Sequence, residues 1–458
     1  MLAFHRGRSR GALVATTLIT LLWAGFASLL LLQTLSVSPT VWQDSLSYEA
    51  VSKMPLLSSS FWAGMRPPLV PLVMRVVGYG EGFTVFQTVV GTIAWAALVI
   101  AVGSYLRSGL HRIVAALVIL GFGLSSPIAQ WNCEVLSESL AISSLVLLFA
   151  GFLWVARGAA RPRIVLLTAT AACFATLRDT GVITVAFLAI GCLVLGLSLR
   201  KHAVRIADPW RILSVALLSV ALVTSAGASY SGRFTTTIDD VYTVRVFPFP
   251  NRVNWFAAHG MPDAAAIKQL AKTTMPSAAS AAKIVFLPQG GSRFTSLYQW
   301  MNSRGSSTYM LYLLSHPGYD LTAPFVRPEL AFNFANGDLF FYQATGWLSF
   351  FASSLLWPSA QLLAVLAVVA GLAMFRSRAW RRVQWRITFM FTLVGLFAML
   401  VAWHGDGQET TRHTLEGFAE FRLGLWLLLL FALDSPPRSR IPVDVWRRGS
   451  HARATNRL

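Results

Sequence analysis

Charge is scarce in this chain of 458 residues: 12% are charged against 55% hydrophobic, and the mean hydropathy is +0.58. About a quarter of a soluble domain is charged, so an ordinary water-soluble globule is excluded. Cysteine is nearly absent. Cys133, Cys173 and Cys192 form an odd and widely spaced set, which argues against a disulfide framework and against a cysteine zinc site. Walker A, GxGxxG, HExxH and GxSxG patterns are also missing. That counts against cytosolic nucleotide chemistry.

What is present is a series of long apolar runs. About ten are long enough to be read as membrane spans, at roughly 11–35, 82–106, 113–129, 138–156, 164–177, 180–199, 211–229, 355–375, 387–403 and 421–433. The segment His5 to Arg10 precedes the first run. That run is too long for a signal-peptide core and no small-x-small cleavage site follows it, so it reads as a retained span.

The net charge of +19 does not point to nucleic acid, because the basic residues fall in short clusters between apolar runs. With the N-terminus inside, the inner loops carry Arg107, Arg112, Arg157, Arg161, Arg163, Arg200, Lys201, Arg205, Arg376 and Arg386. Of the 19 acids they hold only Asp208, Asp434 and Asp444. This asymmetry predicts a multi-pass protein of the cell (inner or plasma) membrane with both termini cytoplasmic.

The predicted fold is therefore an all-α integral membrane protein of about ten transmembrane helices with an extracytoplasmic loop subdomain. Its parts are a transmembrane core over 1–229, which includes a first external loop at 36–81, then a subdomain at 230–354. C-terminal transmembrane helices at 355–433 and a basic cytoplasmic tail at 434–458 follow. The subdomain alternates helical stretches at 264–272 and 296–315 with Pro and Gly breaks. Its Trp255-Phe256 and Tyr309–Tyr312 stretches are expected at the membrane interface.

Five polar stretches carry the candidate chemistry. Asp44, just beyond the first span, is a potential general base or a solvated loop acid. Tyr48 and Glu49 follow it by about one helical turn. Arg66, in Met65-Arg66-Pro67-Pro68-Leu69, is rigidly presented and suits bidentate phosphate binding or headgroup anchoring. Glu134 and Glu138 lie at the outer mouth of the fourth span, where Ser137 is a possible N-cap and Glu138 would favour the helix dipole. Arg178 lies between two apolar runs, placed to pair with Asp179 or to reach a ligand phosphate. The stretch from Trp403 to Glu416 reads as the loop before the last span. Its Arg412 and His413 are phosphate-binding candidates, and no ligand spacing specifies a metal.

Taken together, these stretches resemble the GT-C superfamily of membrane glycosyltransferases. Asp44 through Tyr48 is similar to the Asp-Glu-x-x-Tyr stretch of lipid-A-arabinosyl and protein-mannosyl transferases. Arg66-Pro67-Pro68-Leu69 is similar to the His/Lys-x-Pro-Leu element that follows it. Ser137-Glu138-Ser139-Leu140 is similar to the Thr/Ser-Glu element opening the fourth span. One departure is Ser45, where those transferases often carry a second acid; it speaks against metal use and against an identical catalytic layout.

The resemblance implies an inverting transfer of sugar from a polyprenyl-phosphate donor to a cell-envelope acceptor, whether glycan, lipid or protein. Asp44 would be the base, Arg66, Arg178, Arg412 and His413 would hold the donor phosphate, and Tyr48, Glu49 and Glu138 would support them. No cofactor is indicated. Two rivals stand beside it. One is a transporter or flippase for a lipid-linked intermediate, which predicts buried ionisable residues near the bilayer midplane; the charged residues instead read as clustered at span ends. The other is a non-catalytic scaffold that keeps the fold.

Overall fold

A computed structural model describes residues 10–199, 209–233, 238–274, 294–326, 352–357, 359–377, 382–405, 407 and 410–434. Among these the regular structure is helical, with one isolated parallel bridge between Thr40 and Glu134. Each helix is named by its range. The first part of the chain holds α1 (Arg10–Ser36), α2 (Gln43–Ser52), α3 (Ser59–Trp62), α4 (Leu69–Val77), α5 (Glu81–Gly103), α6 (Gly109–Leu124), α7 (Ser126–Ala129), α8 (Glu138–Arg157), α9 (Arg161–Leu177), α10 (Asp179–Leu199) and α11 (Pro209–Tyr230). A smaller group follows: α12 (Ile238–Val241), α13 (Pro250–Ala258), α14 (Ala264–Thr274), α15 (Thr295–Trp300), α16 (Ser306–Ser315) and α17 (Pro317–Val326). The last three are α18 (Ala360–Ser377), α19 (Val383–Gly405) and α20 (Thr410–Leu433).

Among the described residues six helices are long and apolar enough to cross a membrane: α1, α5, α8, α10, α11 and α19. A seventh crossing arises if α6 and the segment Ser126–Cys133, bent by 56° to one another, count as one span. The predicted third span, 113–129, is thus interrupted by a break at Ser125. The predicted spans at 164–177 and 355–375 coincide with α9 and α18, which fall outside those six. The run at 421–433 belongs to α20, which starts at Thr410 and carries Arg412, Glu416, Glu420 and Arg422.

Burial ranks the helices. In α8, 78% of the apolar window is buried, against 17% in α1 and 22% in α11, so α8 is central and the other two form the lipid-facing rim. Phe149 of α8 stacks on Phe391 of α19 at 4.4 Å, and Phe152 meets the same ring edge-on at 5.1 Å. Helices α19 and α20 touch through glycine. A Cβ on Gly417 would lie 2.6 Å from the Gly395 carbonyl oxygen and 2.6 Å from the Met399 nitrogen. That backbone approach is closer than any side chain permits, and it fixes the height of α20 in the bundle.

Residues 238–274 and 294–326 build a second core around Tyr242, Phe256, Trp300, Met301, Tyr309 and Tyr312. This corrects one expectation. Phe256, Tyr309 and Tyr312 are buried and packed on one another, with Phe256 and Tyr312 centroids 5.3 Å apart, because a small unit needs its aromatics for its own core. Only Trp255 of that set stays half-buried, stacked on His259 at 3.7 Å. The unit is tied to the bundle by polar contacts. Arg245 lies 4.6 Å over the Trp403 ring, and His404 Nε2 meets the Asp320 carbonyl at 2.9 Å. At the opposite end of the bundle Asp434 accepts from the backbone N–H of Arg107 at 3.0 Å and lies 2.7 Å from His111 Nδ1.

Candidate functional site

The end of the bundle that carries the second core also carries a cluster of ionisable side chains. It starts at α2. The Trp42 backbone N–H donates to Ser45 Oγ at 2.9 Å, closing the helix start, and Asp44 occupies the first turn, where the helix dipole favours a carboxylate. Two contacts hold this turn against the segment leading into α8. Thr40 N–H donates to the Cys133 carbonyl at 2.9 Å and Val135 N–H to the Thr40 carbonyl at 3.0 Å. Trp42 Nε1 donates to Glu134 Oε2 at 2.5 Å. Gln87 Nε2 braces the same segment through the carbonyls of Trp131, Asn132 and Glu134. Burial pushes Glu134 up to about 7; the Trp42 hydrogen bond works against this and the nearby Glu138 charge adds to it.

Asp44 stands between two arginines. Arg66 Nη2 bonds its Oδ1, and Arg412 Nη1 bonds its Oδ2 at 3.1 Å. Arg66 also donates through Nε to Ser47 Oγ at 2.7 Å, and its guanidinium lies 5.2 Å from the centre of the Tyr48 ring. Tyr48 is buried, and its phenol is raised first by that burial and then by Glu138, with the Ser137 hydrogen bond, Arg66 and Arg412 opposing. It therefore stays a neutral phenol that packs under Arg66.

The inner half lies behind Asp44. Arg412 Nε bonds Glu138 Oε1, and Arg178 Nη1 sits 3.1 Å from the same oxygen and 2.9 Å from Glu416 Oε1. Arg178 Nη2 lies 3.2 Å from His413 Nδ1. An arginine has no lone pair to offer, so Nδ1 accepts and the imidazole proton belongs on Nε2. Three arginines thus alternate with three carboxylates, Asp44, Glu138 and Glu416. The side chains of Asp44 and Arg66 are each 28% exposed, whereas those of Arg178, Glu138, Arg412 and Glu416 are all below a tenth. The cluster has a wet outer pair and a dry inner set.

Of the predicted residues, Asp44, Tyr48, Arg66, Glu138, Arg178, Arg412 and His413 are brought together. Glu49 is not: it turns aside to Lys53 at 2.7 Å. Arg178 does not pair with its neighbour Asp179, which instead binds Arg233 at 3.0 Å, and Arg233 Nη1 in turn donates to the Gly64 carbonyl at 2.9 Å. Ser137 holds the N-cap position of α8, but its hydroxyl makes no capping bond. Glu416 was missed as a site residue because 403–416 read as a loop. In the structure α19 runs on to Gly405 and α20 begins at Thr410, so Arg412 and Glu416 stand one turn apart on one helix face. Among the described residues no three His, Cys, Asp or Glu side chains converge as a metal site requires; arginines stand between the acids.

No family model and no curated protein matches this chain. Among solved structures it is similar to the archaeal oligosaccharyltransferase AglB from Archaeoglobus fulgidus in complex with an inhibitory peptide and a dolichol-phosphate. The identity is 12% and the TM-score 0.42, over 97% of this chain and 52% of that one. It is also similar to the apo form of the oligosaccharyltransferase of the same organism, at 12% identity and a TM-score of 0.37, over 90% of this chain and 50% of that one. The chain therefore spans about half the length of these structures.

Proposed function

We propose that this protein is a membrane glycosyltransferase that moves a sugar from a polyprenyl-phosphate donor to an envelope acceptor at the outward end of the bundle. The observation that carries this reading is the placement of Asp44, a partly exposed carboxylate gripped by one guanidinium on each oxygen. Each carboxylate oxygen has two acceptor directions, so Asp44 keeps lone pairs for an acceptor hydroxyl. Arg66 is the cation that an arriving phosphate meets first. Binding there competes with Asp44 Oδ1 and frees that oxygen to take the hydroxyl proton. The sugar's bond to phosphate breaks as the acceptor oxygen attacks from the opposite face, which inverts the anomeric centre. The departing lipid phosphate gains charge, and preorganised cations at the membrane edge offset it. Arg412 is the second such cation and Arg178 stands behind it, with the imidazole of His413 beside Arg178 as an N–H donor through Nε2. Helix α4, apolar and lying just after Arg66, gives the lipid chain a surface to follow.

One observation favours a second reading. Glu420 and Arg422 are buried well inside α20, at 3% and 0% exposure, which corrects the expectation that charged residues keep to span ends. Ionisable groups at that depth are a property of transporters. The deciding measurement uses full-length protein in proteoliposomes with a panel of radiolabelled polyprenyl-phosphate sugars. Asp44→Asn keeps the shape of the carboxylate and removes its basicity, so transfer is expected to fall by about 10²–10⁴ while the protein remains folded and inserted. Near wild-type transfer by Asp44→Asn would overturn the assignment. Flux of intact donor across the bilayer without transfer would favour the transporter.

A further inference from the structure

The outward cluster leaves one buried acid unused. Glu420 sits one turn beyond Glu416 on α20, about 15 Å along the axis from Thr410 and close to the middle of this 24-residue helix. It is 3% exposed, and its Oε1 has no hydrogen-bond partner. Among the described residues its side chain packs beside a small apolar cavity walled by Trp95, Phe122, Ile142, Val146, Phe149 and Leu423.

Among the described residues the neighbours leave no counter-charge. Helices α5, α6 and α8 present apolar side chains to the cavity. Helix α19 presents the bare backbone of Gly395, where an added Cβ would lie 2.9 Å from Glu420 Cβ. Arg422 is two positions along the helix and so faces elsewhere, over the Trp357 ring at 4.6 Å. The remaining acid on this side of the helix is Glu416, one turn toward the outward cluster, and it is already bonded to Arg178. A bare carboxylate among apolar walls loses its hydration without compensation, and such a group neutralises instead. A neutral carboxyl has an O–H to donate, so the same group can hold a proton and release it.

We propose that Glu420 is a proton-binding site inside the helix bundle, a carboxylic acid whose proton exchanges with the outward cluster through Glu416. Exchange requires only that an O–H bond on Glu420 break as one forms on Glu416, directly or across one water, with the reverse transfer restoring the start. No other reactant takes part. The proposal is independent of the transferase reading, since it concerns the proton alone.

The test is infrared spectroscopy on the full chain in nanodiscs at neutral pH. The expected result is a protonated-carboxyl C=O band that shifts in D2O, is lost in Glu420→Gln, and exchanges more slowly in Glu416→Gln. A second measurement needs no variant. Dicyclohexylcarbodiimide, a lipid-soluble reagent for protonated carboxyls, should label Glu420 of the wild-type protein and leave the arginine-bound Glu138 and Glu416 unlabelled, as located by tandem mass spectrometry. A spectrum unchanged by Glu420→Gln, or an unlabelled Glu420, would overturn the site. Exchange as fast in Glu416→Gln as in wild type would overturn the route.

Discussion

Depth separates the arginines from one another. Arg66 faces Asp44 across a partly exposed pair, and exposed pairs contribute about 0–1 kcal/mol. Arg66→Ala should therefore change stability by no more than about 1 kcal/mol. It should weaken donor binding roughly tenfold to a hundredfold through loss of a charge-assisted phosphate contact. Arg412 is different, because it alone joins Asp44 to the fully buried Glu138. Removing it leaves the buried Glu138 with one guanidinium, that of Arg178, in place of two, and Arg412→Ala should cost more stability than Arg66→Ala, up to about 3–5 kcal/mol. Arg412→Lys should not restore this, since one ammonium lacks the planar fork that reaches both acids. Donor titration and thermal unfolding in nanodiscs check the pair. Equal effects of Arg66→Ala and Arg412→Ala on both readouts would refute the outer and inner division.

Glu134 adds a pH dependence at the same scale. Its folded-state carboxyl holds a proton up to about 7, while the ordinary value is 4.5. The folded state therefore binds the extra proton, and the gain is complete below the ordinary value and fades as pH rises through about 7. Glu134→Gln keeps an oxygen for the Trp42 indole and removes the titration. The stability difference between wild type and Glu134→Gln should accordingly favour wild type less as pH rises across that window. A difference independent of pH would mean that Glu134 does not titrate there.

At the scale of the element, α20 does the organising. It delivers Arg412 and Glu416 to the arginine–carboxylate cluster, Glu420 to the interior and, just past its end, Asp434 to the start of α6 at the far end. Its position depends on the glycine contact with α19. Gly417→Ala would force a Cβ against backbone atoms of Gly395 and Met399. Backbone cannot turn aside as a side chain can, so a loss of about 1–3 kcal/mol is expected, together with reduced activity as Arg412 is displaced. The same change at Gly371 of α18, where a Cβ meets open space, is the control and should leave the melting temperature unchanged or slightly raised. If Gly417→Ala matches that control, the contact does not set the helix position.

For the whole molecule, the charge asymmetry of the loops predicts which end faces out. Ser58, in the loop before α3, shares an end with the Asp44 cluster, whereas Ala159, between α8 and α9, is exposed at the opposite end. Positions 280 and 450, in the predicted outer subdomain and the predicted tail, lie outside the described residues. In a cysteine-free background Ser58→Cys should react with an impermeant maleimide in intact cells, and Ala159→Cys should react only after the membrane is permeabilised. The reverse pattern would invert the orientation and place the cluster in the cytoplasm.

Hydropathy by itself determined that the chain is a bundle of membrane-type helices, because a run of apolar residues must be helical and buried or lipid-facing wherever it lies. Local polar punctuation likewise singled out Asp44, Arg66, Glu138, Arg178, Arg412 and His413, since an ionisable residue beside such a run stands out against its surroundings. Only the tertiary structure decided that these residues meet in one cluster, in which the bonded pair Asp44 and Arg412 is 368 positions apart. A pairing between side chains on α2, α8 and α20 and in the links before α4 and between α9 and α10 depends on how these helices are arranged in space, and no local pattern encodes that. The same arrangement turned Glu49 away to Lys53 and drew Glu416 in, although both are acids near a span end. It also lengthened α20 past its apolar run, because charges that match one another inside a bundle no longer need water. Glu420 is the furthest instance: its sequence neighbourhood reads as the approach to a span, and only the packing of α5, α6, α8 and α19 around it makes it an acid without a partner among the described residues.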